Sequence, residues 1–197
     1  MCFTAFRNHV AELVSAIVPT NDPMLHTYPE GDRHRCTLSF RNAHAADAAA
    51  IPTEFGRVYL HVSQQLHAAP AEGGFRLRTC AYRYALYDEK PTLTSEPLFR
   101  WEYETKDKRA HDGYPRHHLQ FGRGSKAQYT ELRDTKLDLN RVHLPTGWVL
   151  MEEVFRFLIH ELRMEPRCGA TWPKVLHDSE TRFHEEFTTR SMTPSAG

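Results

Sequence analysis

The chain has 197 residues, 40% of them hydrophobic and 11% aromatic, which suits one packed domain and not a disordered chain. Its 25 lysines plus arginines equal its 25 aspartates plus glutamates, which argues against a nucleic-acid binder that works by bulk positive charge and leaves only a local basic patch. No stretch approaches the ~18 apolar residues of a membrane-spanning helix.

The first stretch, MCFTAFRNHVAELV, is interrupted by Arg7, His9 and Glu12 and does not read as a secretory signal. The cysteines, Cys2, Cys36, Cys80 and Cys168, are scattered without paired spacing, as in a reducing compartment. A cytoplasmic protein without a membrane segment is the expectation. Within residues 3–17, Phe3, Phe6, Val10, Leu13, Val14 and Ile17 recur at helical spacing, and the Pro19–Pro23 stretch stops the helix. Residues 25–35 are polar, with Pro29 and Gly31, and read as a loop.

Strand-period runs follow at CTLSF (36–40), RVYLHVSQQLHA (57–68) and FRLRTCAYRYALYD (75–88), the last two joined by a turn-like AAPAEGG. PLFRWEYET (97–105) has the cleanest alternation, with Phe99, Trp101 and Tyr103 on one face and Arg100, Glu102 and Glu104 on the other. HHLQF (117–121) adds a further strand, and residues 122–141 lack apolar periodicity and read as a long surface loop. VLMEEVFRFLIHEL (149–162) is a helix with its stripe at Leu150, Val154, Phe157, Leu158 and Leu162, and Glu152 and Glu153 suit the positive end of its dipole. A last helix is expected over 174–189. The prediction is a single α+β domain over residues 1–190, an antiparallel sheet of about five strands packed against N-terminal and C-terminal helices, with a flexible tail at 191–197.

The phase of HHLQF decides where chemistry can sit. If Leu119 and Phe121 face the helices, His118 and Gln120 emerge beside Arg100, Glu102 and Glu104. A histidine, an arginine and a carboxylate on a rigid sheet supply an acid or base, a cation for an anionic transition state and an orienting group. The same pattern also serves as charged cross-strand pairing on a solvent-facing surface. Arg116, Arg123 and Lys126 would surround this face with positive charge. His143, in RVHLPTGW before the main helix, is a second candidate for catalysis or anion binding, or else a backbone-bonded histidine at an element junction. Tyr82, Tyr84 and Tyr87, interleaved with Arg76, Arg78 and Arg83, suit base stacking, and equally a half-buried sheet.

No cofactor motif is present. Glycines appear near this face only as FGRG (121–124), without a phosphate-cradling pattern. Thirteen histidines invite a metal reading, but His177 and His184 lie two helical turns apart and HExxH is absent, leaving only His111, His117 and His118 as a zinc set. No metal is expected.

Tyr82, Arg83 and Tyr84, then Phe99, Arg100 and Trp101, then Pro115, His117 and His118, then Glu152, Glu153 and Val154 resemble in order the TumE family of bacterial toxin–antitoxin proteins, over residues 75–162. Gln120 stands where that family has a further histidine, Glu102 where it has aspartate, and residues 122–141 form a long insertion. The resemblance implies a toxin or defence-associated protein that acts on RNA and is held in check by an antitoxin. Together these readings point to a metal-independent RNA-cleaving domain. His118 would be the acid or base, Arg100 the transition-state cation, and Glu102 an orienting or proton-sharing group. His143 joins them in catalysis, and Arg116, Arg123, Lys126 and Tyr84 contact substrate. The alternative, from a different class, is a non-catalytic module that binds a protein partner through its sheet face or the 122–141 loop.

Overall fold

The structure, a computed structural model, describes residues 2–20, 25–40, 48–71, 74–92, 94–104, 117–122, 129–132, 135–138 and 142–187. Helix α1 spans Cys2–Ile17. Its stripe of Phe6, Val10, Leu13, Val14 and Ile17 is buried, as the helical spacing requires. The carbonyls of Ala16 and Ile17, which have no partner inside the helix, accept from the Cys168 and Arg167 N–H groups. The C-terminal segment is thereby stapled to the first helix.

Ten strands follow: β1 Leu25–Glu30, β2 Asp32–Phe40, β3 Ala49–Thr53, β4 Gly56–Ala71, β5 Gly74–Tyr87, β6 Phe99–Glu104, β7 His117–Phe121, β8 Tyr129–Leu132, β9 Thr135–Asp138 and β10 His143–Pro145. Eight of them form one antiparallel sheet in the order β1-β2-β4-β5-β6-β7-β10, with β3 also pairing β4. The α+β prediction holds, with eight strands where about five were expected. Residues 25–35 are mostly strand. Here Pro29 is tolerated because β1 ends the sheet and its register shifts at Pro29/Glu30. Part of the expected 122–141 loop is the separate β8–β9 hairpin.

Strand β5 changes phase partway along. Leu77 and Thr79 bury on the helical side, and so do Tyr82, Tyr84 and Leu86, although the two sets differ by one in parity. The register shift opposite Gln65/Leu66 leaves Cys80 as the extra residue of a β-bulge, which lets both sets face inward. Gly122, just past β7, lies so close to β6 that an added Cβ would sit 1.7 Å from the Pro97 carbonyl oxygen. Its N–H donates to Leu98 O at 2.9 Å, locking β7 onto the sheet. The glycine of FGRG is thus required for close backbone approach.

Helix α2 spans Met151–His160 and α3 spans Trp172–Arg182, which continues into a π turn at Phe183–Phe187. The buried face of α2 is Met151, Glu152, Val154, Phe155 and Leu158. It is rotated from the expected stripe: Phe155 is in the core, and Leu150, Phe157 and Leu162 pack at its margin. The α1, α2 and α3 side chains cover one face of the sheet, meeting Leu38, Leu60, Val62, Tyr84, Leu86 and Trp101.

Candidate active site

The two histidines that open β7 part company at once, because successive strand residues point to opposite faces. His117 pairs with Tyr103 and His118 with Glu102. His117 joins the helical side, stacked on Tyr103 with centroids 4.1 Å apart and planes 3° apart. Its Nδ1 lies 3.2 Å from Tyr82 Oη. The pair therefore does not close on one metal ion, and His111 lies outside the described residues. Among the described residues no group of three or more His, Cys, Asp or Glu side chains is arranged to hold a metal ion.

On the other face the register assembles a compact polar set. Arg83 lies opposite Glu102 on one side, His118 lies opposite it on the other, and Arg100 lies opposite Gln120. Strand β10 then puts His143 opposite Gln120. The Glu102 carboxylate is the hub. Oε1 is 3.2 Å from Arg83 Nε, and Oε2 is 3.0 Å from Arg100 Nε and 3.7 Å from His118 Nε2. Arg100 Nη2 donates to Gln120 Oε1 at 2.7 Å. The His118 and His143 rings are 4.9 Å apart, centre to centre, at 62°.

This face is less open than alternation alone suggests. His118 and Arg100 side chains are 13% and 18% exposed, while Arg83 reaches solvent at 44%. His61, Ser39 and Tyr87, on the same face, are buried. Burial by itself would push the Glu102 carboxyl up. The nearby His118 imidazole and the charges of Arg100 and Arg83 outweigh it and hold the group down at about 2. Tyr87 shows the reverse balance: burial raises its hydroxyl more than Arg83 and Arg100 lower it.

Four sequence-predicted residues thus come together: His118, His143, Arg100 and Glu102. Tyr84 does not join them, and this is a correction. Its ring is in the core at 2% exposure, on the helical side of β5, so it has no face to offer a base. Arg116, Arg123 and Lys126 lie outside the described residues. Arg83 is the member that the sequence reading misses as a partner of Glu102. Its parity relative to Tyr82 and Tyr84 is the signal, since burial of the tyrosines sends Arg83 to the opposite face.

A second polar cluster lies inside the helical layer. Glu152, 3% exposed, accepts from Ser179 Oγ at 2.6 Å, and that hydroxyl lies 3.3 Å from His9 Nε2. With the Ser179 proton committed to Glu152, His9 presents its Nε2–H to the serine oxygen. Burial raises the Glu152 carboxyl, and the Ser179 hydrogen bond only partly offsets it. Burial likewise lowers His9, assisted by Arg182.

No protein-family model, curated protein or solved structure matches this chain. Fold and site define an α+β protein with a mixed histidine–arginine–carboxylate cluster on the sheet face away from the helices.

Proposed function

We propose that the chain is a metal-independent RNA-cleaving enzyme of the toxin kind, working through His118 and His143. The observation that carries this reading is the pair of imidazoles 4.9 Å apart beside the Arg100–Glu102–Arg83 ion pairs. Cleavage of RNA by its own 2′-hydroxyl needs a base, an acid and a cation. One imidazole takes the 2′-hydroxyl proton as the 2′-oxygen bonds to phosphorus. The other donates a proton to the departing 5′-oxygen as its bond to phosphorus breaks. The products are a 2′,3′-cyclic phosphate and a 5′-hydroxyl end.

Arg100 supplies charge to the pentavalent phosphate, and Arg83, the most exposed of the group, provides a second cation for an incoming backbone. Glu102, held at about 2, stays ionised at neutral pH and does not exchange protons there. Its role is to orient His118 and Arg100, which narrows the expected orienting or proton-sharing role. A protein antitoxin is the partner this reading implies.

The test is incubation of purified protein with RNA and analysis of the new ends, alongside host growth and total RNA on induction. Cleavage leaving cyclic phosphate ends is expected, lowered on the order of 10²–10⁴-fold by His118→Ala and by His143→Ala. Intact RNA with folded wild-type protein sinks the reading. It would favour a non-catalytic protein-binding module, for which the Arg83–Glu102–Arg100 arrangement is a structural cross-strand ion-pair network.

A further inference from the structure

Trp148 is 42% exposed, yet it is among the most braced side chains near the sheet edge. Its ring centroid lies 6.0 Å from Tyr82, 5.2 Å from Tyr103 and 5.4 Å from His117. The backbone around it is pinned twice: Thr146 N–H donates to His117 O, and Val149 N–H donates to Tyr82 Oη at 3.1 Å. An indole needs no such bracing to lie on a surface. A rigid, part-exposed aromatic is what a binding site uses, because little side-chain entropy remains to be lost when a ligand arrives.

Beside Trp148 lies a cavity of about 460 Å³, between the end of the sheet and α2. Trp101 and Phe157 also line it, with centroids 5.3 Å apart and planes 76° apart, so they meet as two walls of a corner. The polar lining is acidic on balance. Glu153, Glu161 and Arg156 all contribute. The Arg156 guanidinium is already committed, bonded to Glu180 Oε1 and Oε2 at 2.6 and 2.7 Å and also paired with Glu153. Glu161 has no ion pair among the described residues. Two carboxylates, Glu153 and Glu161, thus line the cavity beside one guanidinium, and a third, Glu180, holds that guanidinium without lining the cavity.

We infer that this cavity binds an organic cation, an alkylammonium group held against Trp148, Trp101 and Phe157 with Glu161 and Glu153 as counter-charges. Aromatic faces attract such cations through their quadrupole, and a nearby carboxylate adds Coulomb attraction. A phosphate-bearing ligand meets the opposite field here, so the site is distinct in kind from the arginine-lined sheet face. Two sources share this chemistry: a free small amine, and a lysine side chain on a partner protein.

The experiment is a tryptophan-fluorescence titration of the full chain at fixed ionic strength. The probes are choline, the neutral alcohol in which carbon replaces choline's nitrogen, a capped lysine tripeptide and guanosine monophosphate. Saturable binding of choline or of the lysine peptide is expected, and the tighter of the two identifies the source. Trp148→Ala should weaken it on the order of tenfold, with Trp148→Phe retaining part. Glu161→Gln, an exposed change that leaves the packing alone, should weaken it a few-fold, roughly the range for a surface charge. No saturable binding by either cation overturns the inference. So does equal binding of the neutral alcohol, preferential binding of the nucleotide, or indifference to both Trp148→Ala and Glu161→Gln.

Discussion

Glu102 and Glu152 are both withdrawn from water, and their surroundings treat them in opposite ways. Glu102, on the sheet face away from the helices, sits among Arg83, Arg100 and His118, and its carboxyl is held at about 2. Glu152, under the helices, accepts from the Ser179 hydroxyl and from its own backbone N–H, the lesser charges of Glu180 and Arg156 act on it in opposite directions, and its carboxyl is raised by burial. Desolvation acts on both. Charged partners outweigh it in one region, and two neutral hydrogen-bond donors do not in the other. The first environment fixes a permanent anion that can orient neighbours. The second favours a protonated acid embedded in packing.

The comparison breaks most sharply at Glu102→Gln. The fall from 4.5 to about 2 corresponds to roughly 3 kcal/mol of folding stability. A depressed carboxylate contributes above its unfolded value and loses the contribution as pH falls through the folded one. Wild type should therefore exceed Glu102→Gln by about 3 kcal/mol at pH 7, with the gap closing between about pH 4.5 and 2. Urea melts of both proteins across that range measure it. A gap that does not change with pH would mean that the ion pairs are not what holds Glu102 ionised.

Ser179→Ala tests the other region. It removes the only hydrogen-bond donor that any side chain offers Glu152 among the described residues, and leaves a buried carboxyl and His9 Nε2 without this partner. A loss of about 1–3 kcal/mol is expected, read as a lower urea midpoint with unchanged slope. Loss of less than a few tenths would show that water replaces the hydroxyl and that the site is wetter than its 3% exposure indicates for Glu152.

How much of this was legible in the sequence differs between the two regions for a physical reason. The sheet face follows a period of two. FRWEYE and HHLQF therefore place Arg100, Glu102 and His118 together from the sequence alone, and the apolar spacing of α1 places its buried stripe. His143 was legible as a candidate but not as a neighbour of His118, because β10 is only three residues long, ends in Pro145 and is recognisable only through its pairing with β7. Strands β1 and β3 carry Pro29 and Pro52, which mask strand character wherever a position tolerates proline. Cys80 hides the phase switch that buries Tyr84, since a bulge leaves no compositional mark. Glu152 was legible only as a first-turn acid suited to the dipole. Its burial follows from α2 turning Met151 and Phe155, rather than Phe157, into the core.

The smallest effect expected is also the most diagnostic of the difference between the two carboxylates. Glutamine has the shape of a protonated glutamic acid and can still accept the Ser179 hydrogen bond, so Glu152→Gln removes the ionisation and little else. A carboxyl raised in the folded state contributes stability in full below its unfolded value and loses it as pH rises through the folded one. Wild type and Glu152→Gln should therefore melt together in acid. At pH 7–8 the variant should be the more stable, on the order of 1 kcal/mol, or about 2–4 °C in Tm for a chain of this size. The sign is opposite to that of Glu102→Gln, and the gap opens with rising pH, as the Glu102 gap also does. If Glu152→Gln instead loses stability at neutral pH, Glu152 is ionised and paired, and the two regions treat their carboxylates alike.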